Sequence, residues 1–181
     1  MSYKFATGSC RLSYAHLFAP HPDLSGNLKY SASLIIPKND EQTIKRYKEV
    51  INRMMKDPEI QKTLGKGGSP RMPLVDGDEN RPEDSAYKNS YYINAKSNPD
   101  HAPKVFDRDR QPIVDKDEVY SGCYVQAVLN FYAYNKGGNK GIGCSLGGIR
   151  KLKDGPALSG AAVSDNDFDD SLIGDSVDDF F

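Results

Sequence analysis

Tyrosines at even positions of one segment carry the clearest chemical signal in this sequence. Residues 120–134 run Tyr-Ser-Gly-Cys-Tyr-Val-Gln-Ala-Val-Leu-Asn-Phe-Tyr-Ala-Tyr. In a strand, successive side chains point to opposite faces. The odd positions Cys123, Val125, Ala127, Leu129, Phe131 and Ala133 then form an apolar face that belongs in a core. The even positions hold Tyr120, Tyr124, Gln126, Asn130, Tyr132 and Tyr134, with Val128 among them. A merely solvated face would carry Lys, Glu and Thr. Residues 90–97 alternate in the same way, with Tyr91, Ile93 and Ala95 on one face and Tyr92, Asn94 and Lys96 on the other. Lys136 and Lys140 flank a Gly-rich hairpin tip over 135–141.

Aromatic faces interleaved with Lys make a stacking platform in a positive groove. Each base–aromatic stack contributes roughly 1–3 kcal/mol and tolerates any base, because every base has a π face. Duplex bases already stack on each other, so such a face favours a single strand. Tyr92, Tyr124 and Tyr132, then Tyr120 and Tyr134, are the candidate stacking residues. Arg11, Lys29, Lys96, Lys136, Lys140 and Arg150 are the candidate phosphate contacts. The structural alternative is a Tyr face packed under a helix or against a second copy, with Tyr120 and Tyr134 the first to be structural.

Catalytic readings are weaker. Lys140 is followed by Gly141, so the Gly-rich 137–148 segment fails as a phosphate-binding P-loop. Asp107-Arg108-Asp109 and Asp115-x-Asp117 leave open a Mg²⁺-dependent nuclease, but paired acids near turns are common. His16, His21 and His101 join no Cys pair, so neither a metal site nor a cofactor is expected. Asp76, Asp78, Glu79, Glu83 and Asp84 match no calcium-loop spacing.

The elements that must position these residues follow from periodicity. Residues 3–18 predict a long strand bent at Gly8 and ended by Pro20 and Pro22. Residues 28–36 alternate as a second strand, stopped by Pro37. Ile44, Tyr47, Ile51 and Met54 then form one helical stripe, giving a helix over 40–56 capped at Asn39. A short helix begins at Asp57-Pro58 and ends near Gly65. Residues 65–90 read as a long loop, 104–106 as a short strand, and 142–152 as the return strand of the hairpin, interrupted at Gly147-Gly148. The fold class is mainly β with one or two inserted helices. Cys10, Cys123 and Cys144 sit among apolar residues and read as reduced buried thiols.

Charge divides the chain. All 24 Lys and Arg lie in 1–153. Eight of the 25 acidic residues lie in 154–181, and the remaining 17 leave the body at a formal +7. A basic body suggests a polyanion ligand, and a tethered acidic tail suggests a competitor for the same surface. The expected organisation is a domain over 1–159 and a flexible acidic tail over 160–181, ending Asp178-Asp179-Phe180-Phe181. No apolar run is long enough to suggest a membrane span. The amino-terminal Met-Ser-Tyr-Lys-Phe has no signal core, so the chain is expected in the cytoplasm.

Several blocks carry a family resemblance. They are Cys10-Arg11-Leu12-Ser13-Tyr14-x-His16-Leu17-Phe18, Tyr30-Ser31-x-Ser33-Leu34-x-Ile36-Pro37-Lys38, Pro73-Leu74-x-Asp76-Gly77-Asp78, and Tyr120 to Tyr124 through Phe131-x-Ala133-Tyr134-Asn135. Together they resemble a family of tailed-phage single-stranded-DNA-binding proteins, over about residues 5–160. The resemblance implies an OB-fold β-barrel that coats single-stranded DNA during phage replication and recombination, in the cytoplasm of the infected bacterium. The tail resembles those of other single-strand binders, which end in acidic residues and Phe. That implies replication or recombination proteins of phage or host as partners through Asp178, Asp179, Phe180 and Phe181. Self-association, or a structural phage protein using the Tyr face as its interface, stays open. One feature departs from the barrel pattern: the helix follows the second long strand rather than the third. Either residues 3–18 count as two strands, or the barrel is rearranged.

Overall fold

The structure, a computed structural model, describes residues 3–158. The acidic tail over 160–181, with Asp178, Asp179, Phe180 and Phe181, lies outside the described residues, as does the boundary expected at 159.

The first expected strand is two. β1 (Tyr3–Ala6) and β2 (Cys10–Pro22) are separated at Thr7-Gly8-Ser9. Gly8 is where a helix approaches: its N–H donates to Thr43 Oγ1 at 3.1 Å, and a Cβ there would lie 2.7 Å from the same oxygen. Strand β2 does not end at Pro20 but runs to Pro22. It can do so because its pairing with β3 (Leu28–Pro37) is irregular between His16 and His21, where no ladder donor is needed from Pro20.

Helix α1 (Glu41–Lys56) starts one residue later than expected. Asp40, not Asn39, is its cap, with the carboxylate accepting from Thr43 N at 3.2 Å. Asp57 ends α1 and caps α2 (Pro58–Leu64), whose first residue is proline. The 65–90 stretch holds only short elements, β4 (Leu74–Asp76), α3 (Gly77–Asn80) and a single 3₁₀ turn at Ser85–Tyr87. β5 (Ser90–Ser97), β6 (Lys104–Phe106), β7 (Tyr124–Lys136) and β8 (Asn139–Lys153) follow. The β7–β8 ladder closes at Lys136↔Asn139, so the hairpin tip is only Gly137-Gly138.

Five strands form a closed ring. β2 pairs β3, β3 pairs β5, β5 pairs β8, β8 pairs β7, and β7 returns to β2. All contacts are antiparallel except β5–β8. This is a five-stranded Greek-key barrel of the OB type. β1, β4 and β6 are additions outside the ring, on β7, β5 and β8. Residues 3–18 therefore do count as two strands. The helices nevertheless lie between the second and third ring strands.

The odd face of β7 fills the barrel: Val125, Ala127, Leu129 and Phe131 are completely buried. Helix α1 packs on this side, with the Tyr47 ring edge-on to Phe131 at 5.8 Å and to Phe5 at 6.1 Å. Its buried stripe is Thr43, Tyr47, Val50 and Met54, and each large apolar side chain buried there contributes about 1.5–3 kcal/mol. Cys10, Cys123 and Cys144 are free and buried, and desolvation pushes the Cys10 thiol up to about 12. No helix among the described residues is long and apolar enough to cross a membrane.

Candidate nucleic-acid interface

Because α1 covers the odd face, the even face of β7 stays outside. Register then joins it to the other ring strands. Asn130 is opposite Ser145 on β8, Ser145 opposite Lys96 on β5, Lys96 opposite Ser31 on β3, and Ser31 opposite His16 on β2. His16, Ser31, Lys96, Ser145 and Asn130 thus form one polar row around the outside of the barrel, none of them buried. Five strands spaced by about 4.8 Å make that row about 19 Å long.

A groove of about 790 Å³ lies over the β5–β8–β7 half of the row, lined by Lys29, Lys96, His101, Asn130, Tyr132 and Gly147 among others. A second, of about 340 Å³, lies over the β2–β3–β5 half and shares Lys29 and Lys96 with the first. The two are continuous through these lysines. Neither lysine joins any ion pair among the described residues. Lys29 Nζ donates to Asn98 Oδ1, which holds it over the groove. His16 and His21 stack at 4.1 Å in the second groove. Burial, then the neighbouring His21, holds the His16 imidazole below its ordinary range.

Tyr132 stands at the β7 end of the groove, 42% exposed, with its ring over Gly143 across the ladder. Of the residues expected to bind, the structure brings Lys29, Lys96 and Tyr132 together here. The rest go elsewhere. Tyr124 is half-buried at the far end of β7, eight residues or about 27 Å from Tyr132. Arg11 and Lys153 flank its ring at 5.9 and 4.7 Å, and Gly155 lies against it. The Arg11 guanidinium also donates to Pro156 O at 2.6 Å and Gly122 O at 3.2 Å. Tyr134 lies on the same face as Tyr132, half-buried, with its hydroxyl and Arg71 both close to Gly141. Lys136 is exposed at the hairpin tip, while Lys140 Nζ donates to Gly67 O. Arg150 lies opposite Gln126, half-buried, with Nε unpartnered.

Two expected placements need correcting. Tyr120 is not on the β7 face, because the strand begins only at Tyr124. It precedes a turn and binds the chain after β8, its hydroxyl donating to Gly155 O at 2.8 Å and accepting from Gly155 N at 3.2 Å. Tyr92 does point outward from β5, but it is only 6% exposed. The 77–87 segment folds over it. The Tyr87 ring meets it edge-on at 5.0 Å, and Arg81 lies 4.7 Å from its centroid. With Ile35 these rings make a small second core. An aromatic residue, Tyr87, in a stretch otherwise rich in charge and turn residues was the available signal.

Residues absent from the sequence-level set also line the site: His16, His21 and His101, which are all the histidines of the chain, and Tyr14. Scattered histidines have no period, and only the closed ring gathers them. Among the described residues no group of three or more His, Cys, Asp and Glu is placed to hold a metal ion. The Asp107 and Asp115 carboxylates instead accept from turn backbone, Asp107 Oδ1 from Asp109 N and Gln111 N and Asp115 Oδ1 from Asp117 N.

Comparison with known proteins supplies the rest. The family model described as Enterobacter phage Enc34, ssDNA-binding protein, matches residues 3–181. Putative protein p50 of Acyrthosiphon pisum secondary endosymbiont phage 1 is 33% identical over 176 residues, covering 92% of this chain and 93% of that protein. The structure of the single-stranded DNA-binding protein from bacteriophage Enc34 in complex with ssDNA superposes with a TM-score of 0.69 at 24% identity, over 86% of this chain and 89% of that one. The structure of gp2.5, the single-stranded DNA binding protein encoded by bacteriophage T7, superposes at 0.63 with 14% identity, over 92% and 97%. These last two likenesses are of fold.

Proposed function

The chain belongs to the family of the Enterobacter phage Enc34 ssDNA-binding protein, and on that footing we propose that it binds single-stranded DNA in the groove over the His16–Ser31–Lys96–Ser145–Asn130 row. The observation that carries this reading is the row itself: five ring strands present polar side chains in register, with two unpaired lysines above and an exposed tyrosine at the end. Phosphates lie on Lys29 and Lys96, amide and hydroxyl groups meet base edges, and a base stacks on Tyr132. Tyr134 and Lys136 continue the track towards the hairpin. Tyr124 with Arg11 and Lys153, and Arg150, offer a further stretch along the outer β7–β8 ribbon. Tyr92 and Tyr120 have structural parts instead. The protein acts as a coat on single strands during phage replication and recombination, in the cytoplasm of the infected host, with no catalytic step of its own.

The division at 159 remains our reading of the chain: a binding domain, then the acidic tail. The stem of the tail supports a competitor role. Asp154 to Leu158 cross the outer face beside Arg11, Lys151 and Lys153, with Leu158 N donating to Ser121 O at 2.9 Å. We read the eight carboxylates of 154–181 as rivals of DNA phosphates, and Phe180-Phe181 as a docking element for replication proteins. Deletion of 160–181 is expected to tighten DNA binding most at low salt; unchanged binding overturns the competitor role. Loss of Phe180-Phe181 is expected to abolish capture of phage or host replication proteins, and undiminished capture overturns the docking role.

Titration of a labelled oligothymidine, with and without Mg²⁺, tests the main reading. Binding without cleavage is the expected result. Absence of binding favours the structural-protein alternative, and cleavage favours a nuclease.

A further inference from the structure

Tyr14 is the most exposed aromatic residue on the barrel, at 58%. Its backbone has φ of 46°, a left-handed conformation that costs a non-glycine residue about 1–3 kcal/mol. The strain comes where β2 shifts register against β3, between Ser13 and His16. An irregularity of this kind re-aims a side chain. Ser13 before it is buried, and Tyr14 is turned outward.

Something holds the ring there. The Arg81 guanidinium lies 5.0 Å from its centroid. Arg81 is itself fixed, 4.6 and 4.7 Å from the rings of Tyr87 and Tyr92, with Nη1 donating to Tyr87 Oη at 3.1 Å. Tyr87 Oη in turn donates to the buried Ser33 hydroxyl at 3.0 Å. A barrel anchor thus supports a cation against an aromatic ring that would otherwise gain by folding down onto apolar surface.

The position fits a ligand. Tyr14 lines the groove containing His16, His21, Lys29 and Lys96, and also a neighbouring hollow of about 480 Å³ formed with Asn80, Arg81 and Pro82. It therefore stands at the β2 end of the row, as Tyr132 stands at the β7 end. We propose that Tyr14, backed by Arg81, is a second base-stacking step, so that one nucleic-acid strand enters the groove between two aromatic residues and its sugar-phosphate chain crosses Lys29 and Lys96. Any nucleobase fits, because the ring reads only a π face. Arg81 adds a positive charge beside the stacked base and lets the track continue into the hollow. The proposal rests on the single-strand-binding reading above.

The chain has no tryptophan, so Tyr14→Trp introduces a single reporter. Labelled oligothymidine is added to the full-length variant, and anisotropy of the label and indole emission are followed in the same cuvette. The expected result is indole quenching that saturates with the anisotropy. Tyr14→Phe is expected to retain wild-type affinity, and Tyr14→Ala to lose roughly tenfold, on the scale of one base–aromatic stack. Anisotropy that saturates while the emission stays constant overturns the stacking step and leaves the groove reading standing, as does full affinity in folded Tyr14→Ala. If the wild-type protein shows no rise in anisotropy at low salt, the groove reading fails, and this inference with it.

Discussion

The ring of Tyr132 lies over Gly143, its partner across the β7–β8 ladder, so closely that a Cβ on residue 143 would sit 2.5 Å from Cζ. The glycine lets an exposed aromatic residue lie down on the sheet at the mouth of the groove. Gly143→Val must swing the ring away. It is expected to weaken single-strand binding by about 1–3 kcal/mol, the size of one stack. Tyr132→Ala is expected to cost the same, and the double variant no more than either alone. Additive losses in that cycle would separate the glycine from the ring.

Lys29 and Lys96 face the groove without acidic partners among the described residues. Each released counterion sets part of the salt dependence. Lys29→Ala and Lys96→Ala are therefore each expected to flatten the slope of log K against log salt by about 0.7. Equilibrium titrations at several salt concentrations measure this. Unchanged slopes would remove the lysines from the phosphate path.

The amphipathic face of β7 was legible because a period of two survives any tertiary context, and Val125 to Phe131 are buried in the order the alternation requires. Helix α1 was legible from its period of about 3.6 residues, apart from a cap displaced from Asn39 to Asp40 and a buried stripe of Thr43, Tyr47, Val50 and Met54 in place of the one through Ile44 and Ile51. The site was only half legible. Lys96 reaches the β7 face through one parallel register pair with Ser145, between segments far apart in sequence. No local pattern encodes that pairing. Tyr92 looked free because its cover comes from Arg81 and Tyr87 in an irregular segment. Tyr14 went unseen because its direction depends on a single backbone angle.

His16 lines the second groove beside Lys29, Lys96 and Asp23. Its protonation adds positive charge facing DNA, and its imidazole is held below the ordinary range, so affinity is expected to rise as pH falls below about 6.5. Without DNA the sign reverses for stability. His16 titrates below its unfolded value, so the unfolded chain takes the proton first and the fold loses stability as pH falls below about 6.5. Comparing Tm against pH for the wild type and His16→Gln tests this. A difference between the two that stays the same as pH falls from about 8 to about 5 would contradict it.

Thr7 joins β1 to the ring and is 1% exposed. Its hydroxyl accepts from Ala127 N at 3.0 Å and donates to Gly8 O at 2.8 Å. Thr7→Val leaves that buried amide unpaired and is expected to cost about 1–3 kcal/mol in urea unfolding, with Thr7→Ser close to wild type. Binding of single strands by the folded fraction is expected to be unaffected, since Thr7 lines neither groove.

In the proposed binding mode, Lys96 at the middle of the in-register row and Tyr132 at its β7 end hold the strand. It is tested most directly by anisotropy titration of labelled oligothymidine with a Lys96→Glu, Tyr132→Ala double variant, its fold checked by circular dichroism and urea midpoint. Wild-type protein is expected to bind at low salt, and the folded double variant to lose binding by two orders of magnitude or more, roughly the sum of one stack and one reversed phosphate contact. Wild-type affinity in that folded variant would contradict it.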